Sequence, residues 1–342
     1  MVTCIPLLPL FQNFINQSKS GRRRNKNGSR IKPQSAVNYT YCYKLLQEFE
    51  VNQQIALLVH QVKGNNIKEH NQLRKYYSSF YLNFTEFLYK QKRCHDNYVG
   101  QTIKQLRSFY VWLNQDMGIP TGTYYKSMYV CKEEIQILTL SLDQLHFLIH
   151  DSEFEDGLPE ALKRSKDIFV FGCIVGLRFS DLISIDHSNI LQQDGAAYLK
   201  TRSKKTSTDT LVKLPPAALN ILRNYKHHRR SIFPPISLNQ FNKNIKALTL
   251  LAGWTAPVDR IRTRRGITVS RPAGEPSRFC DNISSHTMRR TSITSMLTAG
   301  MPEQVVRKIS GHTSDSKSFF RYVNLAQSLM DTEIEKIHIR LL

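Results

Sequence analysis

Apolar residues recur at helical spacing through the first third of the chain. Leu7, Leu8, Leu10, Phe11, Phe14 and Ile15 predict a short helix over residues 5–18. Pro33 and Ser35 then open a second, from Ala36 to about Glu50, with Tyr39, Tyr43, Leu46 and Phe49 on one side. Leu73, Tyr77, Phe80, Phe84, Phe87 and Leu88 mark a third, from about His70 to Lys92. Val99, Ile103, Leu106, Phe109 and Trp112 mark a fourth, from about Asn97 to Asp116. Aromatic residues at such steps belong in a core, so residues 1–118 read as an all-α bundle.

The Gly/Pro/Thr run from Gly118 to Thr123 ends that bundle, and residues 119–137 read as an extended linker. Ser141 is placed to cap a new helix, and residues 138–342 read as a second, mainly helical domain. Within it, YLKTR and TLVKL alternate as half-buried strands do and flank the turn SKKTSTD, which predicts a hairpin. The apolar run FVFGCIVG predicts a buried helix broken at Gly176, with Ser180 able to cap the next. A helix from His286 stops at Gly300. Pro302 opens a short one with Val305, Val306 and Ile309 inward, which stops at Gly311. The expected fold class is mainly α with a small β-sheet.

Length and charge sharpen this outline. A chain of 342 residues exceeds the usual single domain, and 41% hydrophobic residues suffice for two cores. The formal net charge is +21, from 48 Lys and Arg against 27 Asp and Glu, which points to a polyanion such as nucleic acid. The positive charge is concentrated in GRRRNKNGSR (21–30), read as a mobile basic loop, and in KHHRR (226–230). The six cysteines contain no CxxC pair, so neither a zinc pattern nor a disulfide framework is expected. The apolar start MVTCIPLLPLFQNFI lacks a basic n-region, and no apolar run approaches the roughly 18 residues of a membrane span. The expectation is a soluble, cytoplasmic protein with no membrane partner.

Candidate chemistry lies in the second domain. Arg178 follows the buried run in GLRFSDL, where its fork can leave the core, and Asp181 is placed to orient it. His286 and Arg289 stand three apart on one helix face. His312 follows Gly311 at a turn, and Tyr322 lies on the last helix, fixed by Phe319 and Phe320 with Ser314 and Asp315 as caps. Two arginines and two histidines with no cluster of Asp and Glu offer no metal site. They suit instead the extra negative charge on a phosphorus under nucleophilic attack. Phosphate-loop and dinucleotide glycine patterns are absent from the sequence, as is a carboxylate signature behind a histidine for acyl transfer.

These residues resemble the tyrosine site-specific recombinases, or phage-type integrases. The resemblance runs in order through GLRFSDL, TRSKKTSTDTLVKLP, HTMR, SGHT and FFRY, and the N-terminal bundle matches that family's core-binding domain. In SFYVWLN, LSLDQL and KSFFRYV the chain looks like integrases of mobile elements. The resemblance implies a helical core-binding domain, a catalytic domain, and six catalytic residues: Arg178, Lys205, His286, Arg289, His312 and Tyr322. Lys200 and Lys204 are the other lysines of the hairpin, and Lys204 stands close behind Lys205 in the assignment. The tyrosine would form a 3′-phosphotyrosyl link with the phosphate clamped by both arginines. No cofactor and no metal are implied, because the ester conserves the bond energy. The implied partners are double-stranded DNA recombination sites and a homotetramer in the synaptic complex. The C-terminal segment, with Leu325, Leu329 and Ile337 at helical steps, docks either on a neighbouring protomer or on its own domain. The stretch from His312 to Tyr322 is one residue longer than the commonest spacing, and the loop at Thr313–Ser316 is the expected place for it. A type IB topoisomerase and a non-catalytic DNA-binding protein of the same fold are the competing classes.

Overall fold

The computed structural model describes residues 4–62, 64, 66–203, 208–227, 231–258, 261–269, 277–313, 316 and 319–341. Cα packing divides the chain into two units. One comprises Met1–Ile135 with Ile261–Pro272, the other Gln136–Arg260 with Ala273–Leu342.

The first unit begins with strand β1 (Cys4–Pro6) and helices α1 (Leu7–Ser20) and α2 (Pro33–Gln53). Strand β2 (Leu58–His60), antiparallel to β1, precedes α3 (Ile67–Lys90) and α4 (Asp96–Gln115). The predicted aromatic positions form its core: Phe11, Phe14, Phe49, Phe84 and Phe109 are fully buried, and Trp112 is 1% exposed. Each buried aromatic or aliphatic side chain contributes about 1.5–3 kcal/mol, which decides where the helices dock. The basic stretch after α1 is an internally bonded turn. Asn25 N donates to Ser29 O at 2.8 Å, and Arg23 anchors it with its guanidinium 4.3 Å above the Phe14 ring. Residues after α4 hold to that helix. Asn97 Nδ2 donates to Glu133 O (3.0 Å), and a Cβ at Gly100 would lie 1.9 Å from Cys131 O, so only glycine fits there.

The second unit contains α5 (Leu142–His150), capped by Ser141 and Gln144 in a reciprocal box. It continues with α6 (Ser152–Asp156), α7 (Glu160–Val175) and α8 (Phe179–Leu182). An antiparallel sheet of order β3-β4-β5 follows: β3 (Ile190–Gln193), β4 (Ala196–Arg202) and β5 (Asp209–Lys213). Strand β3 adds to the predicted hairpin, whose register pairs Arg202 with Asp209. Helices α9 (Pro216–Asn224) and α10 (Leu238–Leu251) come next. The chain then forms the antiparallel hairpin of β6 (Arg262–Arg264) and β7 (Ile267–Val269), which belongs to the first unit. Helices α11 (Phe279–Asn282), α12 (Ser285–Thr298), α13 (Glu303–Ser310) and α14 (Phe320–Leu341) complete the second. Its main core gathers Phe169, Phe171, Leu182, Leu199, Phe233, Phe241 and Met288 around α7.

The β6–β7 hairpin is held by carboxylates of the helical unit. Asp96, 2% exposed, accepts from the backbone N–H groups of Arg265 (2.7 Å) and Gly266 (2.9 Å) and from the Tyr89 hydroxyl (2.6 Å). Glu133 accepts from Arg262 Nε (3.0 Å) and Thr263 N (2.7 Å), and Arg265 pairs with Glu86. Burial alone would raise both carboxyl pKa values. For Asp96, the Tyr89 hydroxyl and the two turn amides hold its pKa below the ordinary value. For Glu133, Arg262 and Thr263 do the same. Among the described residues, no helix is long and apolar enough to cross a membrane.

Candidate active site

Helix α7 ends at Gly176, whose φ of 68° and ψ of 15° are left-handed. The chain turns there at once, so Arg178 itself occupies the N-cap of α8, and Ser180, the expected cap, lies within that helix two positions later. Helix α12 packs against α7 where two glycines face it. A Cβ at Gly172 would lie 2.5 Å from Met288 Sδ, and one at Gly176 would lie 2.8 Å from Ser292 Oγ. The close approach sets Arg289 against the end of α7, where its Nη1 donates to Gly176 O at 2.9 Å.

Arg289 is 3% exposed, and its Nη2 lies 3.0 Å from Nδ1 and 3.1 Å from Nε2 of His312. His312 follows Gly311, the left-handed C-cap of α13 (φ 61°), and its Nδ1 lies 2.8 Å from Ser310 Oγ. The Tyr322 ring centroid is 6.0 Å from that of His312, and Phe319 is 5.1 Å from His312. Tyr322 is the third residue of α14, which begins at Phe320. His286 is exposed in the first turn of α12. It shares a helix with Arg289 but sits at a different depth. Arg178 donates to Ser203 Oγ at 2.9 Å, and Ser203 closes the described end of β4 with its N–H on Thr208 O. Lys205 and Lys204 lie outside the described residues, and Lys200 is an exposed β4 residue opposite Leu211.

Arg178 and Arg289 oppose each other's charge in this cluster. Burial first, and then the positive charge of Arg178, pull the Arg289 pKa down to about 10, against the attraction of Tyr322 and Asp181. A drop of that size opposes the charged form by roughly 3 kcal/mol. An anion entering between the guanidiniums relieves that penalty. Arg and His here offer hydrogen-bond donors rather than a ligand set for a cation, and among the described residues no group of three His, Cys, Asp or Glu could hold a metal.

Three supporting residues carry little signal in the sequence. Ser203 and Ser310 are ordinary turn and helix-end serines until the fold delivers Arg178 and His312 to them. The third, Arg307, is buried because α13 is rotated from the expected face. Val306, Arg307 and Ser310 point inward, while Val305 is 44% exposed. The Glu303–Arg307 spacing of four is the available clue, since that carboxylate answers the charge.

The helical unit carries a separate basic groove of about 1460 Å³. Its walls include Arg22, Arg24 and Lys26 from the turn after α1, Lys104 and Arg107 from α4, and Lys126 and Lys132 beyond it.

Solved structures share this fold. A lambda integrase tetramer bound to a Holliday junction superposes with a TM-score of 0.59 at 15% identity, covering 92% of this chain and 79% of that one. The Tn1549 transposon integrase in complex with circular intermediate DNA gives 0.57 at 13%, covering 93% and 95%. In sequence, the tyrosine recombinase XerC of Natranaerobius thermophilus is 26% identical over 252 residues, 73% of this chain and 79% of that protein. Residues 143–328, more than half the chain, match the model of the phage integrase family. The chain belongs to that family: it is a tyrosine recombinase and acts in site-specific DNA recombination.

Proposed function

We propose that Tyr322 is the nucleophile of a DNA cleavage and rejoining reaction and that the cluster around Arg289 is its phosphate site. The observation that carries this reading is the gathering of Arg289, His312 and Tyr322 from three helical segments beside Arg178, with the Arg289 charge held at a cost until an anion arrives. The phenolic oxygen of Tyr322 attacks the scissile phosphorus and surrenders its proton, with His286 assisting. A 3′-phosphotyrosyl ester forms as the bond to the 5′-oxygen breaks, and that oxygen takes a proton from a hairpin lysine, Lys205 or its neighbour Lys204. Arg178 and Arg289 hold the non-bridging oxygens, and His312, fixed by Ser310, donates to the phosphate. The 5′-hydroxyl of a second strand then attacks the ester and releases the tyrosine, so the number of phosphoester bonds is conserved.

In this reading the helical unit binds double-stranded DNA through its basic groove, with contacts that give affinity and salt dependence more than sequence choice. The second unit performs the chemistry. A homotetramer assembles on paired sites in the cytoplasm, a reading supported by the tetrameric lambda integrase complex. The test uses nicked duplexes tiled across the DNA that flanks the gene. The wild-type protein forms a covalent adduct resistant to denaturation, and Tyr322→Phe binds the same duplex without forming one. An adduct of wild-type yield in Tyr322→Phe refutes the assignment.

A further inference from the structure

We propose that Arg307 is a positioning residue for Tyr322: its guanidinium ties Thr313 and Phe319 to α13 and so fixes where the nucleophile's helix begins. This rests on the reading of Tyr322 as the nucleophile.

Arg307 is 9% exposed. A buried guanidinium persists only if its donors and its charge are answered. Nε donates to Glu303 Oε1 at 2.7 Å, and the same carboxylate pairs with Nη2. Nη1 donates to Thr313 O at 3.3 Å. The face of the group lies 4.1 Å from the Phe319 ring centroid and 5.1 Å from that of Phe320.

Those partners bracket the active-site turn. Thr313 is the residue after His312, and Phe319 is the residue before α14. Phe319 is fully buried against Ile293 and Val306, and its carbonyl accepts from Tyr322 N at 2.9 Å in the first turn of the helix. One planar group therefore holds the exit from His312 and the entry to Tyr322 on the same helix. A lysine supplies the charge for Glu303 but not the stacked plane, and its donors radiate from one atom rather than from a planar fork.

The measurement is single-turnover adduct formation on the nicked duplex selected by the wild-type protein, run with Arg307→Met, Arg307→Lys and Tyr322→Phe. DNA affinity and melting temperature are read on the same samples. At saturating protein, Arg307→Met should cleave about 30- to 100-fold more slowly, in line with the cost of an ångström-scale displacement of a reacting group. Arg307→Lys should recover part of that rate, and both variants should half-saturate within about twofold of the wild-type concentration, because binding energy is untouched. A wild-type cleavage rate in Arg307→Met overturns the proposal. A loss of DNA affinity that tracks the loss of rate also overturns it, as it marks a phosphate contact or a general loss of structure. Where Arg307→Met does not fold, Arg307→Lys alone decides: a reduced saturating rate with unchanged affinity upholds the proposal, and an unchanged rate overturns it. An adduct in Tyr322→Phe brings down the underlying assignment whatever the Arg307 variants do.

Discussion

Replacing Gly176 by alanine perturbs the junction between α7 and the active site through two separable terms. The backbone there has φ 68°, and a side chain in the left-handed region costs about 1–2 kcal/mol. The new Cβ also meets Ser292 Oγ at 2.8 Å and Ser292 Cβ at 3.3 Å, an overpacking worth about 1–3 kcal/mol. Together the two terms destabilise the second unit by about 3 kcal/mol, a fall of about 6–12 °C in melting temperature for a unit of this size. Ser292→Ala removes the nearer atom at a cost under about 1 kcal/mol, since its hydroxyl makes only a 3.3 Å bond to Ile174 O. The double variant should then regain about 1–2 kcal/mol, leaving the backbone term and the 3.3 Å approach to the Cβ that alanine retains at position 292. Chemical unfolding of the wild type, both single variants and the double variant isolates this coupling. Because Gly176 O accepts from Arg289, adduct formation should fall at least about tenfold in Gly176→Ala and recover partly in the double variant. A Gly176→Ala protein within about 0.5 kcal/mol of wild type would refute the strain argument, and strictly additive effects would refute the contact with Ser292.

Ser203→Ala removes the hydroxyl that accepts from Arg178. Adduct formation should slow about three- to tenfold with unchanged DNA affinity, the loss of one charge-assisted hydrogen bond, and an unaffected rate in single-turnover cleavage counts against that support. The hairpin docking should fail in acid. Asp96 and Glu133 titrate below their ordinary values in the folded unit, so their contribution is present above the unfolded carboxyl range and is lost as the pH falls below about 4. Amide-exchange protection at Arg265 and Gly266, corrected for intrinsic rates, should hold near about pH 6 and decline progressively as the pH falls below about 4, and protection that shows no decline on acid titration contradicts the linkage.

The helical unit was legible because its signal is local. In α3 and α4 one apolar stripe at three- and four-residue steps coincides with the buried face, and Ser141 caps the helix expected after it. The residues brought together at the site were also legible, since Arg178, Arg289, His312 and Tyr322 stand in short distinctive stretches. Depth was not. His286 and Arg289 share a helix face by spacing, yet one is exposed and the other buried, because only Arg289 lies against the end of α7. The face of α13 was misread for a related reason. Hydropathy favours Val305 inward over Arg307, and only the partners of Arg307, one of them six residues away, reverse the order. The β6–β7 hairpin has the least local signal. IRTRRGITV carries three charges and no alternating apolar face, and what folds it is a pair of carboxylates more than 120 residues earlier in the chain.

That hairpin makes the helical unit discontinuous in sequence, with a consequence for anyone exchanging modules among these recombinases. Severing the backbone once after Ile135 yields a fragment whose Asp96 and Glu133 have lost the amides and the guanidinium that neutralised them. A working transplant must carry residues 261–272 along with the first 135, and a chimera that joins parents at one crossover inherits a socket from one parent and a plug from the other.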